Sequence, residues 1–310
     1  MTQQEIDWIK SCLPEQMIYP YFKDKYVLDL IRHSYSEKVS IAELKQSKFN
    51  RYLNKPIVKR WLSTCGSGEI DLEKQDHVWV ENTRFMRLSI GEWGEDQRWK
   101  KGNYHQVSRP ELNLVLQVNF DSSHDLKFYQ NIGKENRFLF GNSYHPENEK
   151  LNTLGWLRLD IDLDNGEALI EEVQSDWVKD VSEYEVKLNT KPFDPNCSCL
   201  ACEKPHAVRH YVEFFNQYKR IWDELILSAG LWFLVNQLGV TNVWYHSFGS
   251  SKHYKMMPHY SLPPKSIYSK LPKKFGFNKV EEVPGLFKKC NALKKLVRKG
   301  AGMHLFQLKF

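Results

Sequence analysis

The stretch ALIEEVQSDW, residues 168–177, gathers Glu171, Glu172, Gln174, Ser175 and Asp176 into six positions. Neighbouring carboxylates can divide acid and base roles, since their environments can set their proton affinities apart. Glu172 and Asp176 are therefore catalytic candidates, with Gln174 and Ser175 as hydrogen-bonding groups and Trp177 as an aromatic wall for a ligand. His246, in YHSFGSSKHY, is the third catalytic candidate. It lies beside Gly249, Ser250, Ser251 and Lys252, a turn whose N–H groups could nest a phosphate. A separate cluster, CSCLACEKPH, offers Cys197, Cys199, Cys202 and His206 in a C-x-C-x2-C-x3-H spacing. Three thiolates and an imidazole suit a closed, structural Zn²⁺ site, with His210 competing for the fourth place.

The elements that must position these groups can be read from periodicity. WLRLDIDL alternates strictly, with Leu157, Leu159, Ile161 and Leu163 on one face and Trp156, Arg158, Asp160 and Asp162 on the other. Asn165-Gly166 then reads as the centre of a type I′ hairpin. With that bend, Leu163 faces Ala168, Ile161 faces Ile170, Leu159 faces Glu172 and Leu157 faces Gln174. Cross-strand partners share a face, so Glu172 is expected inward among the leucines and Glu171 outward, opposite Asp160. A carboxylate aimed at the core needs a cationic partner or a cleft.

Around the hairpin, residues 1–75 read as a helical region. Ser40 and Glu43 form a capping pair, and two short basic helices lack any base-contacting signature. Residues 76–310 read as an α+β core with a mixed, mainly antiparallel sheet and a cysteine-rich insertion at about 178–206. AVRHYVEFFNQYKRIWDELILSAGLWFLVNQLG reads as one long packed helix closed by Gly239. A strand at VTNVWYHS, a short helix at PKSIYSKLPKKFGF and strands at NKVEEV and MHLFQLKF follow.

Composition narrows the class. The 310 residues are 41% hydrophobic, enough for a sizeable core, and no signal peptide or membrane-spanning run is evident. A soluble cytoplasmic protein is expected, and scattered cysteines agree with a reducing compartment. The net charge of +6 is unevenly spread. Residues 252–310 carry 14 Lys and Arg against Glu281 and Glu282, a local +12 that leaves −6 for the rest. That segment calls for nucleic acid or an acidic protein as partner. Within it, Leu286, Cys290, Leu293 and Val297 stripe one face of a basic helix.

NGEALIEEVQSDW resembles the E-E-[IV]-Q-S-D-W signature of domains in large polyvalent proteins of phages and conjugative elements. SYHPENEKLNTLGWLRLDI is similar to that family's His- and Asn-bearing segment before the hairpin. WDELILSAGLWFLVNQLGVTNVWYHS resembles its Trp-x-Glu helix and following strand, and IYSKLPKKFGF its Tyr-x-Lys-x-Leu-Pro segment. The likeness covers roughly residues 140–280. It implies a mobile-element or phage-conflict context and marks Glu172, Gln174, Asp176, Trp177, Trp222, Glu224, Tyr268 and Lys270 as site positions. The order of elements also resembles GNAT acyltransferases.

Three functions follow as expectations. One is a GNAT-like transferase acting on a nucleic-acid or protein substrate through a cleft at Glu172. Acetyl-CoA would be the donor, although the glycine turn for its pyrophosphate is missing from SDWVKDVSEYEV. Another is an ADP-ribosyltransferase-type effector using NAD, with Arg84 and Arg87 as upstream partners of the strand glutamate. The last is a non-catalytic nucleic-acid- or partner-binding component of a defence, anti-defence or toxin-antitoxin system.

Overall fold

The computed structural model describes residues 1–14, 17–72, 80–94, 106–109, 111–136, 139–140, 145–146, 148–190, 199–255, 264–299 and 303–310. The chain opens with α1 (Gln3–Cys12), started by a Thr2/Glu5 capping box, then β1 (Met17–Tyr21) and α2 (Lys25–Ser34). A short hairpin-like pair, β2 (Lys38–Ser40) and β3 (Glu69–Asp71), encloses α3 (Ile41–Gln46) and α4 (Pro56–Ser63). Ser40 does cap α3, its Oγ accepting from Glu43 N at 3.0 Å. The strands β4 (Arg84–Trp93) and β5 (Asn113–Asn119) precede α5 (Ser122–Asn131). Next come the hairpin strands β6 (Thr153–Asp162) and β7 (Glu167–Gln174), followed by α6 (Asp176–Thr190). The helices α7 (Leu200–Glu203), α8 (Pro205–Lys219) and α9 (Trp222–Trp232) lead to β8 (Asn242–Tyr245) and α10 (Phe248–Tyr254). Last are α11 (Lys270–Lys274), β9 (Asn278–Val280), α12 (Gly285–Lys289), α13 (Asn291–Lys299) and β10 (Leu305–Lys309).

This is the expected α+β architecture. One eight-stranded sheet runs β1-β4-β5-β6-β7-β8-β10-β9, antiparallel everywhere except the parallel pair β7/β8. The hairpin is followed by helices, the parallel strand β8 and the closing strands. β1 lies at the sheet's edge, so the first 75 residues contribute a strand to the main sheet as well as helices.

The sheet has two unlike faces. Leu157, Leu159, Ile161 and Ile170 are buried on one, which α9 covers at close range. Gly155 and Gly230 permit that approach: a Cβ on Gly155 would lie 2.4 Å from Ile226 Cδ1, and one on Gly230 2.4 Å from Leu157 Cδ2. Trp156, Arg158 and Asp160 share the opposite face with Leu169, which packs with Trp244, Leu286 and Leu293.

Three expectations about local structure are corrected. The long helix is two: Ile221 leaves helical geometry between α8 and α9, and a wider turn at Phe233–Gln237 follows before Gly239 ends the run at φ +66°. The stretch after Trp177 is helical, because Ser175 Oγ accepts from Val178 N at 3.0 Å and caps α6. Most consequential is the hairpin. Asp162 pairs with Glu167 around a four-residue loop, Leu163 to Gly166, with Gly166 at φ +59°. Ile161 therefore faces Ala168 and Leu159 faces Ile170, a register two residues from the expected one.

Candidate functional site

A register shift of two leaves every side chain on its expected face, so the turn alone does not redirect Glu172. A β-bulge does. The pairing slips between Arg158 and Leu159, so that Arg158 pairs with Glu172 while Leu159 still pairs with Ile170. Glu171 is the extra residue. Glu172 thus joins the Arg158 face instead of the leucine face, and Glu171, expected at the surface, is fully buried. The bulge lies where the parallel pairing of β7 with β8 ends, at Ile170 and Tyr245. Both carboxylates and His246 sit at the carboxyl ends of two diverging parallel strands.

The buried charges there are matched. Arg158 donates through Nη2 to Glu172 Oε2 and, at 3.0 Å, to the Gln106 carbonyl. Lys255 Nζ lies 3.9 Å from Glu171 Oε2 and 3.8 Å from Glu172 Oε2, and it also donates to the Glu171 carbonyl. Glu171 accepts from Ser108 N and Ser108 Oγ, each at 3.0 Å. Ser108 Oγ is 2.9 Å from His246 Nε2, and His246 Nδ1 is 3.1 Å from Ser250 Oγ. Burial alone would raise Glu171; the hydrogen bond to His246 and the charges of Lys255 and Arg158 outweigh it and hold the carboxyl at about 2. Burial also opposes ionisation of Glu172, and Arg158 followed by Lys255 brings it below the usual carboxylate range. His246 is depressed by its own burial, against the pull of the Glu171 carboxylate. Two cations facing two anions, closed off from water, make an electrostatic scaffold; carboxylates this acidic are weak bases.

A more accessible group stands at the end of the same strand. His145 Nδ1 lies 2.6 Å from Asp176 Oδ2 and 3.1 Å from Gln174 Nε2, and Gln174 donates to Asp176 Oδ1 at 2.7 Å. The His145 side chain is 29% exposed, against 6% for Asp176. Its ring meets Trp93 and Trp156 edge-on, with centroids 6.3 and 5.8 Å away. The Arg158 guanidinium lies 5.4 Å from the Trp93 ring and 5.9 Å from the Trp156 ring, linking this shell to the buried quartet. Trp156 Nε1 is buried with no hydrogen-bond partner among the described residues. Half-buried Asp180, one helical turn after Asp176, is pushed up to about 6 by burial and then by the Asp176 charge.

The other site positions divide clearly. Tyr268 belongs to the scaffold, with its ring 6.0 Å from Lys255 Nζ and its OH 3.5 Å from the Glu171 carbonyl. Ser175 is spent on capping α6. Trp177 is core: Nε1 donates to Tyr211 OH at 2.7 Å, and the ring packs on Phe120, Phe128 and Phe140. Glu224 lies across the sheet, accepting from Tyr21 OH at 3.0 Å and Asp24 N at 2.6 Å and pairing with Lys274 at 2.7 Å. Half-buried Trp222 begins the same helix and packs on the main core. Lys270 is exposed at the start of α11, and Lys252 is half-buried on α10. The Gly249–Ser251 turn forms the start of α10, where Ser247 already takes the Ser250 N–H at 3.1 Å. Arg84 is engaged with Gln217, and Arg87 with Asp125 and the Phe120 carbonyl.

Cys197 lies outside the described residues. Cys199 and Cys202 bring their sulfurs to 3.6 Å, close to the roughly 3.8 Å that two thiolates reach on one tetrahedral Zn²⁺. His206 is exposed at the start of α8, and His210 is hydrogen-bonded to Asn131 Oδ1 at 2.9 Å. Among the described residues, no group of three or more His, Cys, Asp or Glu is placed to hold a metal.

Sequence reasoning missed Arg158, Lys255, Ser108 and His145 as partners. Arg158 carried a signal as the lone cation on the alternating polar face of β6, and His145 as the histidine of the SYHPENEK segment. No family model, curated protein or solved structure matches the chain.

Proposed function

We propose that this protein is a group-transfer enzyme, of mobile-element or phage-conflict context, whose site lies at the carboxyl end of β7. The observation that carries this reading is the His145–Asp176–Gln174 assembly, set between two tryptophans and a closed charge quartet. With Nδ1 protonated towards Asp176, the imidazole presents Nε2 as a proton acceptor. An acceptor amine or hydroxyl would give its proton to Nε2 as its heteroatom attacks the donor, and the imidazolium would return a proton to the leaving group. Trp156 Nε1 supplies a buried donor that a ligand carbonyl or phosphoryl oxygen could take up. Ligands commonly bind beyond the carboxyl ends of parallel strands, where neighbouring connections part.

The role of Glu172 changes accordingly. It fixes Arg158 and Lys255 and leaves proton transfer to His145. Acetyl-CoA and NAD⁺ are the donors to test. Asp176 in the first turn of α6 is unfavourable to a pyrophosphate at that helix end, so a CoA donor would need its phosphates elsewhere.

Incubation with each donor should release free CoA or nicotinamide, and His145→Gln should abolish release at an unchanged thermal midpoint. Absence of a thermal shift and of leaving-group release with both donors would sink the reading. The cysteine loop is proposed to hold a structural zinc through Cys199 and Cys202, with Cys197 and His206 or His210 completing the set. Elemental analysis of protein purified without chelator should find one zinc per chain; none would refute it.

A further inference from the structure

The basic C-terminal helices form a surface that the proposed reaction leaves unexplained. Lys288 at the end of α12, with Lys294, Lys295, Arg298 and Lys299 on α13, are all exposed, and no acidic residue follows Glu282 in the chain. Lys294 and Arg298 stand one turn apart, as do Lys295 and Lys299, giving two short rows of charge with a repeat of about 6 Å. The opposite side of α13 is fixed. Leu293 is buried, Leu296 and Val297 pack on the small core that it shares with Trp244 and Leu305, and His253 Nε2 bonds to the Leu296 carbonyl at 2.8 Å. The charges are therefore presented on a rigid element, on the sheet face that also carries the Glu171–Arg158 network.

We infer that this face of α12 and α13 binds the phosphate backbone of a nucleic-acid duplex. Its chemistry selects that partner. A membrane would need apolar side chains to insert, but those of α13 are already committed to the core. Four of the five cations are lysines, point charges that suit the evenly spaced negative charge of a phosphate backbone without demanding a fixed bidentate geometry. Single strands are held by stacking on aromatics, and residues 288–299 contain none. Contacts from such rows to phosphate oxygens position a duplex and carry no sequence information directly. This inference stands apart from the group-transfer reading, because none of its residues belongs to the His145 site.

The test is fluorescence anisotropy of a labelled duplex of roughly twenty base pairs, titrated with the full chain. Five backbone contacts predict that affinity falls several hundredfold between about 50 and 200 mM salt. A combined Lys294→Gln, Lys295→Gln, Arg298→Gln and Lys299→Gln variant should bind more weakly at low salt and lose only about fourfold over the same range. Its thermal midpoint should match that of the unaltered chain, because all four side chains are exposed. Equal affinity and salt slope for the two proteins would overturn the inference. So would displacement of the duplex by an equal charge of polyglutamate, which would mark an acidic-protein surface. Tighter capture by phosphatidylserine vesicles than by duplex would overturn it as well.

Discussion

Glu172 faces Arg158 and Lys255 inside the protein, and Glu171 completes the quartet. Removing one member leaves an uncompensated buried charge, which is far more damaging than removing a whole pair. Glu172→Gln should therefore lower unfolding stability by about 3–5 kcal/mol, measured from the denaturant midpoint. A Glu172→Leu, Arg158→Met double variant should recover much of that loss. A change below about 1 kcal/mol would mean that the carboxylate is effectively solvated. Glu171 adds a pH dependence whose sign is fixed by its depressed value. The folded chain holds this carboxyl at about 2 against an ordinary 4.5, so its contribution is complete above pH 4.5 and is lost as pH falls towards 2. Acid titration of stability should show the loss in that window, and Glu171→Gln should flatten it.

At the level of elements, the bulge in β7 and the contact of β6 with α9 decide where these side chains go. Gly155 and Gly230 let the helix seat on the leucine face, and a methyl at either would meet a neighbour at 2.4 Å. Gly155 also sits 2.5 Å, at its would-be Cβ, from the Gln174 carbonyl, an atom that cannot rotate away. Gly155→Ala should thus cost about 1–3 kcal/mol. Gly230→Ala should cost less, because Leu157 can change rotamer. Thermal midpoints of the two variants rank the effects, and a reversed order would show that α9 yields more readily than the strand. Alternation identified both faces of β6 correctly, and the strands expected at VTNVWYHS, NKVEEV and MHLFQLKF are β8, β9 and β10. It could not identify the bulge, since one extra residue in β7 reverses facing without any change in local composition.

For the molecule as a whole, β1 ties the first residues to the rest. It pairs with β4 from Met17↔Leu88 to Tyr21↔Arg84, and its tyrosines reach across to α9: Tyr19 OH lies 2.6 Å from Ser228 Oγ, and Tyr21 bonds Glu224. A fragment of residues 76–310 would leave an open sheet edge and a buried Glu224 short of two donors. It should be insoluble or melt well below the full chain. The full chain should unfold in one transition by both far- and near-ultraviolet circular dichroism. A fragment that melts like the intact protein would show two independent units.

The sequence by itself determined the α+β class, the two-faced β6 strand, the cap at Ser40, the end at Gly239 and the helical character of the basic segment, because each depends on residues within a turn or two of one another; the one basic helix expected there is two, since extended backbone at Cys290 parts α12 from α13. It also drew attention to the stretch that carries the candidate site, since Gln174 and Asp176 belong to it. Only the tertiary structure decided that Glu171 and Glu172 lie on one face, that Lys255 and Ser108 complete their shell, and that His145 joins Asp176. Those contacts connect positions 29 to 138 residues apart, or hinge on one unpaired residue in a ladder. Pairing across such distances is set by how strands and helices stack, and no local pattern encodes it.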